Sequence, residues 1–258
     1  MARFERYAQG TPSYVELVTP DQAGAKEFYG PLFGWELEDV PLGPDVTYVA
    51  VAKEGDQIAG MSPMLSDRAG HPAWWGVYLT VDDVEAATAA VVRAGGRVDA
   101  EPSDVMDLGR TAAIADPTCA RVNLWQAGAT IGTIRANEPG TPIWHELLTP
   151  DVATATRFYA DVLGVGWEEQ PMEGGPPYTC LMVDGRAVGG AMPLDMEGVP
   201  PYWAVYFNVE DADATVARAT ELGGSVVAPT FDVPGVGRMA VLADPQGGYF
   251  NLMQNPAG

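Results

Sequence analysis

The stretch ADPQGGYFNLMQ, residues 243–254, reads as a tight turn running into a short strand, and ADPTCARVNLWQ at 115–126 repeats it. Each carries an asparagine, Asn251 or Asn123, at a place where an apolar strand would take another hydrophobe. Working outward, GTPSYVELVTPD (10–21) returns as GTPIWHELLTPD (140–151), and FYGPLFGW (28–35) as FYADVLGVGW (158–167) with two residues inserted. WGVYLTVDDVEAA (75–87) matches WAVYFNVEDADAT (203–215). Between 99–126 and 227–254, 12 of 28 ungapped positions are identical, too ordered a match for chance. The chain is therefore a duplication. Its halves are expected at 8–126 and 138–255, with 127–137 as the linker between them, inside a run (AGATIGTIRANEPG) whose Gly and Pro suit that role.

Within each half the periodicity changes in a fixed order. Tyr14-Val-Glu-Leu-Val alternates as a strand, and Thr-Pro-Asp then predicts a helix start with Pro early in its first turn. Phe28 and Leu32 lie on one helix face, as do Phe158 and Val162, and Gly34 or Gly164 ends the helix. Strand-like runs follow at 47–52 and 58–64. The order then restarts with a strand at 75–81, an Asp82 or Asp83 cap, and a helix running to Gly95-Gly96. Further extended pieces end at Asn123-Leu124-Trp125. The reading is four βαβββ modules, two in each half, an α+β fold.

Composition narrows the function. Among 258 residues, 35 are Asp or Glu and 14 are Lys or Arg, a formal charge of −21. That field repels phosphate backbones and anionic lipid, so neither nucleic acid nor membrane is an expected partner, and it favours a cationic ligand. No apolar run follows the arginines of MARFERYAQG and no stretch approaches the roughly 20 apolar residues of a membrane span. Cys119 and Cys180 make no disulfide framework, which points to a reducing cytoplasm.

Four βαβββ modules in two fused halves resemble the vicinal oxygen chelate superfamily, which holds glyoxalase I, bleomycin-resistance proteins and extradiol dioxygenases. FYGPLFGW after the first strand, the helices ending in AGG or LGG, and the ADP turn before the last strand carry the resemblance. Within that superfamily the paired GTP-x-W-x-E-L-x-T-P-D and FGW motifs are similar to two-domain, glyoxalase-like actinobacterial proteins often labelled hydroxylase or 27 kDa antigen. The resemblance implies two tandem glyoxalase/bleomycin-resistance-like domains with curved mixed sheets. In the superfamily's metal enzymes, His or Glu side chains on the concave sheet face bind a divalent ion. By that resemblance the ligand positions hold Tyr14 and Trp144, Gly76 and Ala204, and Asn123 and Asn251. The repeated asparagine thus stands where the metal enzymes keep a carboxylate, and an amide is a poor ligand for a hard cation. His71 falls in a loop, and alternation sends His145 to the face opposite Trp144. No metal and no cofactor is expected.

The same alternation lists what each concave face offers. The first half presents Tyr14, Glu16, Trp74, Tyr78, Thr80, Arg121, Asn123 and Trp125. The second presents Trp144, Glu146, Tyr202, Tyr206, Asn208, Tyr249, Asn251 and Met253. Aromatic walls with a few convergent polar groups suit a flat small molecule. Glu146 among aromatics suits a general base, and Glu16 is expected to be neutralised by Arg121, leaving the second half as the better site. Cys119, in place of Gly247, is expected to disturb its turn, and Cys180 is read as a small buried hydrophobe. Two functions fit. One is metal-free binding of an aromatic or polyketide-like molecule, for sequestration, resistance or an auxiliary role in biosynthesis. The other is a glyoxalase-like lyase or isomerase, or an oxygenation-associated enzyme, using Glu146 as base. Because the pseudo-dimer is internal, either a monomer or a homodimer is compatible.

Overall fold

The threonine–proline–aspartate that ends each half's first strand starts a helix by capping it. In the computed structural model, which describes residues 2–43, 46–65, 68–172, 177–196 and 198–256, Asp21 follows β2 (Pro12–Thr19) and accepts from the Gly24 N–H. Helix α1 (Gln22–Phe33) then ends on Gly34, whose left-handed φ of 68° closes the last turn. Asp151 and Gly164 do the same between β11 (Pro142–Thr149) and α3 (Val152–Leu163). The proline lies before the cap in both, not in the first turn as the sequence suggested.

Three strands follow each helix. After α1 come β3 (Glu36–Gly43), β4 (Val46–Lys53) and β5 (Asp56–Pro63), and the order then restarts with β6 (Trp74–Thr80). Asp83 caps α2 (Val84–Arg93), which leads to β7 (Arg97–Val105), β8 (Gly109–Ala115) and β9 (Arg121–Ala127). The second half repeats this as β12 (Gly166–Gln170), β13 (Tyr178–Val183), β14 (Arg186–Pro193), β15 (Tyr202–Asn208), α4 (Ala212–Glu221), β16 (Ser225–Val233), β17 (Gly237–Ala243) and β18 (Tyr249–Gln254). These are the four βαβββ modules.

In each half the two modules join through their first strands, β2 antiparallel to β6 and β11 antiparallel to β15. The sheet is mixed, because β2 pairs β5 and β6 pairs β9 in parallel. The two half-sheets meet at one point, where Arg121 of β9 pairs Tyr202 of β15. The residues expected to be a linker are strapped to the first half. Thr133 N–H donates to the Ser13 carbonyl, Ile134 N–H to Gln57, and β10 (Arg135–Ala136) pairs β1 (Ala2–Arg3). Buried Arg135 bonds buried Asp56 at 3.1 Å, which also receives Arg3.

The halves share one core. Helix α1 packs on α4 and α2 on α3, and Tyr29, Phe33, Trp35 and Trp75 close with Phe207 and Phe250 of the second half into one aromatic cluster. The ADP turn explains its own repetition here. Asp244 Oδ1 accepts from the N–H groups of Gln246 and Gly248, holding the turn, and Oδ2 accepts from Tyr29 Oη of the other half at 2.9 Å. Trp75 Nε1 donates to the same Tyr29 hydroxyl at 3.0 Å. Trp203 Nε1 likewise donates to Tyr159 Oη, which also acts on Asp116, though outside regular hydrogen-bond geometry. Gln126 and Gln254, which end the repeated stretch, cap α2 and α4 through Val84 and Ala212 N–H. Cys119 keeps the positive φ of its glycine counterpart, 77° against 84° at Gly247, so the turn survives the cysteine.

Candidate functional site

Strand alternation puts Glu16 and Glu146 two residues past Tyr14 and Trp144, on the same faces. Glu146 is buried and Glu16 half-buried. Tyr206 Oη donates to Glu146 Oε2 at 2.7 Å, and Tyr78 Oη to Glu16 Oε2 at 2.6 Å. Burial raises both pKa values, only partly opposed by the donors, which are Tyr206 and Tyr178 for Glu146 and Tyr78 and Ser62 for Glu16. Glu16 therefore has no ion pair with Arg121. That guanidinium points away to Asp99 at 3.1 Å and is 59% exposed, because residue 121 opens its strand at the end of the sheet.

Sequence reasoning missed Tyr48 and Tyr178. Both lie two strands beyond β2 or β11, across β5 or β14, and their recurrence at matched places in the two halves was the signal. Gly60 and Gly190 pair in register with Glu16 and Glu146, and a Cβ at either would strike the Tyr48 or Tyr178 hydroxyl. Glycine at this register lets the tyrosine reach across the sheet. In the second half the result is a chain, with Trp144 Nε1 donating to Tyr178 Oη at 2.8 Å and Tyr178 bonding Glu146. In the first half Tyr14 and Tyr48 pair with each other instead, and Ser62 supplies the second donor to Glu16.

The faces also differ in cover. Tyr14 is buried, and Arg68 lies over the Trp74 ring at 5.5 Å. Trp144, the counterpart of Tyr14, is half-buried, while Tyr48, Trp74 and Tyr78 are half-buried like Tyr178, Tyr202 and Tyr206, and Met192, where the first half has Ser62, is exposed. Asn208 and Met253 are buried at the far end, and Tyr249 is 57% exposed at the sheet margin rather than against Glu146. Trp125 is buried, donates to the Thr130 carbonyl, and meets Tyr78 edge-on. Asn251 directs its amide N–H to the Val205 carbonyl at 3.2 Å, so one of its donors serves the sheet. Asn123 sits in register with Tyr78. Two surface clefts, of about 440 and 310 Å³, are lined by residues such as Val165 and Asp184 or Asp232 and Arg238, away from both faces.

The residues at the implied metal positions do not fit a divalent ion. The Trp144 indole donates and has no lone pair to give, Ala204 has no donor atom, and Asn251 turns its N–H inward. The face's one carboxylate is held by tyrosine hydroxyls. No group of three or more His, Cys, Asp or Glu side chains that could hold a metal gathers among the described residues. His145 is buried on the opposite face, its Nε2 without a partner among the described residues and its pKa lowered by burial to about 4.

The fold and these faces define a class, and the comparisons agree. Residues 11–124 match the Glyoxalase/Bleomycin resistance protein/Dioxygenase superfamily, and residues 145–253 match a glyoxalase-like domain. The chain is 45% identical over 258 residues to CFP32 of Mycobacterium tuberculosis, a suspected glyoxylase by name, covering 98% of both chains. It is 37% identical to the anthracycline biosynthesis protein DauV of Streptomyces sp. strain C5, covering 96% of this chain and 94% of that one. The Mn(II)-bound glyoxalase of Novosphingobium aromaticivorans superposes with a TM-score of 0.64 at 17% identity, over 95% of this chain and 83% of its own. The protein belongs to the glyoxalase/bleomycin resistance protein/dioxygenase superfamily, in its form with two tandem domains. None of its described helices is long and apolar enough to cross a membrane.

Proposed function

We propose that this cytoplasmic protein binds a flat aromatic or polyketide-like molecule, without a metal, on the concave face of its second half. The role is auxiliary to a biosynthetic pathway, or one of sequestration. The observation that carries this reading is Glu146, a buried carboxyl between Tyr206 and Tyr178, beneath half-exposed Trp144 and Tyr202. A planar ligand stacks on the rings and hydrogen-bonds the carboxyl. The relative named for anthracycline biosynthesis supports a polycyclic ligand and its pathway setting.

An anthracycline chromophore is the probe, and quenching of indole fluorescence the readout. Trp144→Ala and Glu146→Gln should each weaken binding by roughly 1–3 kcal/mol, with little loss from Tyr14→Ala and Glu16→Gln. Equal losses from both halves, or losses from the first alone, refute the assignment.

The second reading, an isomerase, lyase or oxygenation-associated enzyme with Glu146 as base, is favoured by the same carboxyl's raised pKa. It requires turnover that Glu146→Gln abolishes while ligand binding persists.

A further inference from the structure

Duplicated domains that differ at one spot in several cooperating residues mark a place where one copy does something the other does not. Such a spot lies at the seam of the two half-sheets. In the first half Arg97 donates to Asp99 through Nε at 2.6 Å, Arg121 Nε reaches the other oxygen at 3.1 Å, and Arg68 acts on the same carboxylate. Arg68 also lies over the Trp74 ring. The matched residues of the second half are Ser225 for Arg97, Val227 for Asp99 and Tyr249 for Arg121, and the loop Leu194–Pro201 contains no basic residue.

Three guanidinium groups act on one carboxylate, in a chain whose formal charge is −21. Simple solubility would disperse or lose such a cluster. Arg97 and Arg121 are 57% and 59% exposed, so the N–H groups not spent on Asp99 or, for Arg97, Cys119 face solvent while Asp99 fixes their planes. Guanidinium forks held in this way match an oxyanion, and Arg68 on Trp74 marks a ring that already carries a planar partner. Pairing of Arg121 with Tyr202 brings a second half-exposed ring to the same margin.

We infer that the Arg68–Arg97–Arg121 cluster at the domain seam is a binding site for the oxyanion of an aromatic acid, whose ring replaces Arg68 over Trp74 as that guanidinium turns to the oxyanion. The site borders the Glu146 face at Tyr202 but shares none of its arginines with it, so Arg97→Gln and Arg121→Gln tell the failure of one from that of the other.

Titration calorimetry of the full chain with 2-naphthoate, 2-naphthamide and inorganic phosphate tests it. Naphthoate should bind saturably at one equivalent, at least about tenfold tighter than the amide or phosphate, and more weakly as salt rises. Arg97→Gln and Arg121→Gln should each raise Kd about tenfold, and Asp99→Asn, which removes the competing carboxylate, should lower it. Absence of saturable binding, equal affinity for naphthoate and naphthamide, parity with phosphate, or a Kd indifferent to both Arg121→Gln and Asp99→Asn overturns the inference.

Discussion

Replacing Tyr29 by Phe removes one oxygen from the middle of the interface between the halves. The ring keeps its packing against Phe33, Trp35, Trp75 and Phe250, because Phe has the same shape. Two buried groups lose their partner, Asp244 Oδ2 at 2.9 Å and Trp75 Nε1 at 3.0 Å. Tyr29 is wholly buried and Asp244 is 3% exposed, so little water can replace the hydroxyl. Orphaning buried partners in this way costs about 1–3 kcal/mol. At about 2–4 °C per kcal/mol for a chain of this size, Tm should fall by roughly 2–12 °C. Tyr159→Phe is the internal control. It orphans Trp203 Nε1 and removes a contact with Asp116 that is outside regular hydrogen-bond geometry, so the loss should be smaller, about 0.5–1.5 kcal/mol. Urea unfolding followed by indole fluorescence reads both, and the shared core predicts a single transition. A Tyr29→Phe midpoint equal to wild type, or a larger loss from Tyr159→Phe, would refute the assignment of this contact as the lock between halves.

Burial raises the Glu146 pKa, so the folded chain holds a proton there that the unfolded chain has already lost. Stability from this group is full below the ordinary carboxylate range and falls as pH rises through the raised value. Glu146→Gln should therefore flatten the decline in urea midpoint as pH rises above the ordinary carboxylate range, and an unchanged slope contradicts the burial argument. Gly190→Ala should push the Tyr178 hydroxyl out of place, costing about 1–3 kcal/mol and weakening ligand quenching, whereas Gly185→Ala tests only turn strain. Elemental analysis of protein never exposed to chelator should find far less than one equivalent of zinc, nickel, manganese or iron per chain, and near-stoichiometric metal would overturn the reading of Trp144, Ala204 and Asn251.

Much of the architecture was legible because its signals are local or repeated. Asp caps, glycine stops and period-two strands depend on a few neighbouring residues, and the duplication supplied each of them twice. The concave-face residues followed from alternation alone, which a strand cannot evade, and Glu16, Tyr78, Glu146 and Tyr206 do meet there. Partner choice was not legible in the same way. Arg121 was expected to pair with Glu16, yet it opens β9 opposite Ala115, which pairs Arg97, and so reaches Asp99 on that hairpin.

By itself the sequence determined the four modules, their duplication, and which side chains share a face, since spacing along the chain fixes all three. Tertiary structure decided who touches whom. Tyr178 reaches Glu146 only because the parallel register of β11 and β14 sets Gly190 beside it. Tyr29 finds Asp244 only because one half packs against the other, 215 positions away along the chain. Such contacts depend on strand register and domain packing, which are set by the burial of the whole core and leave no periodic mark in the residues that make them.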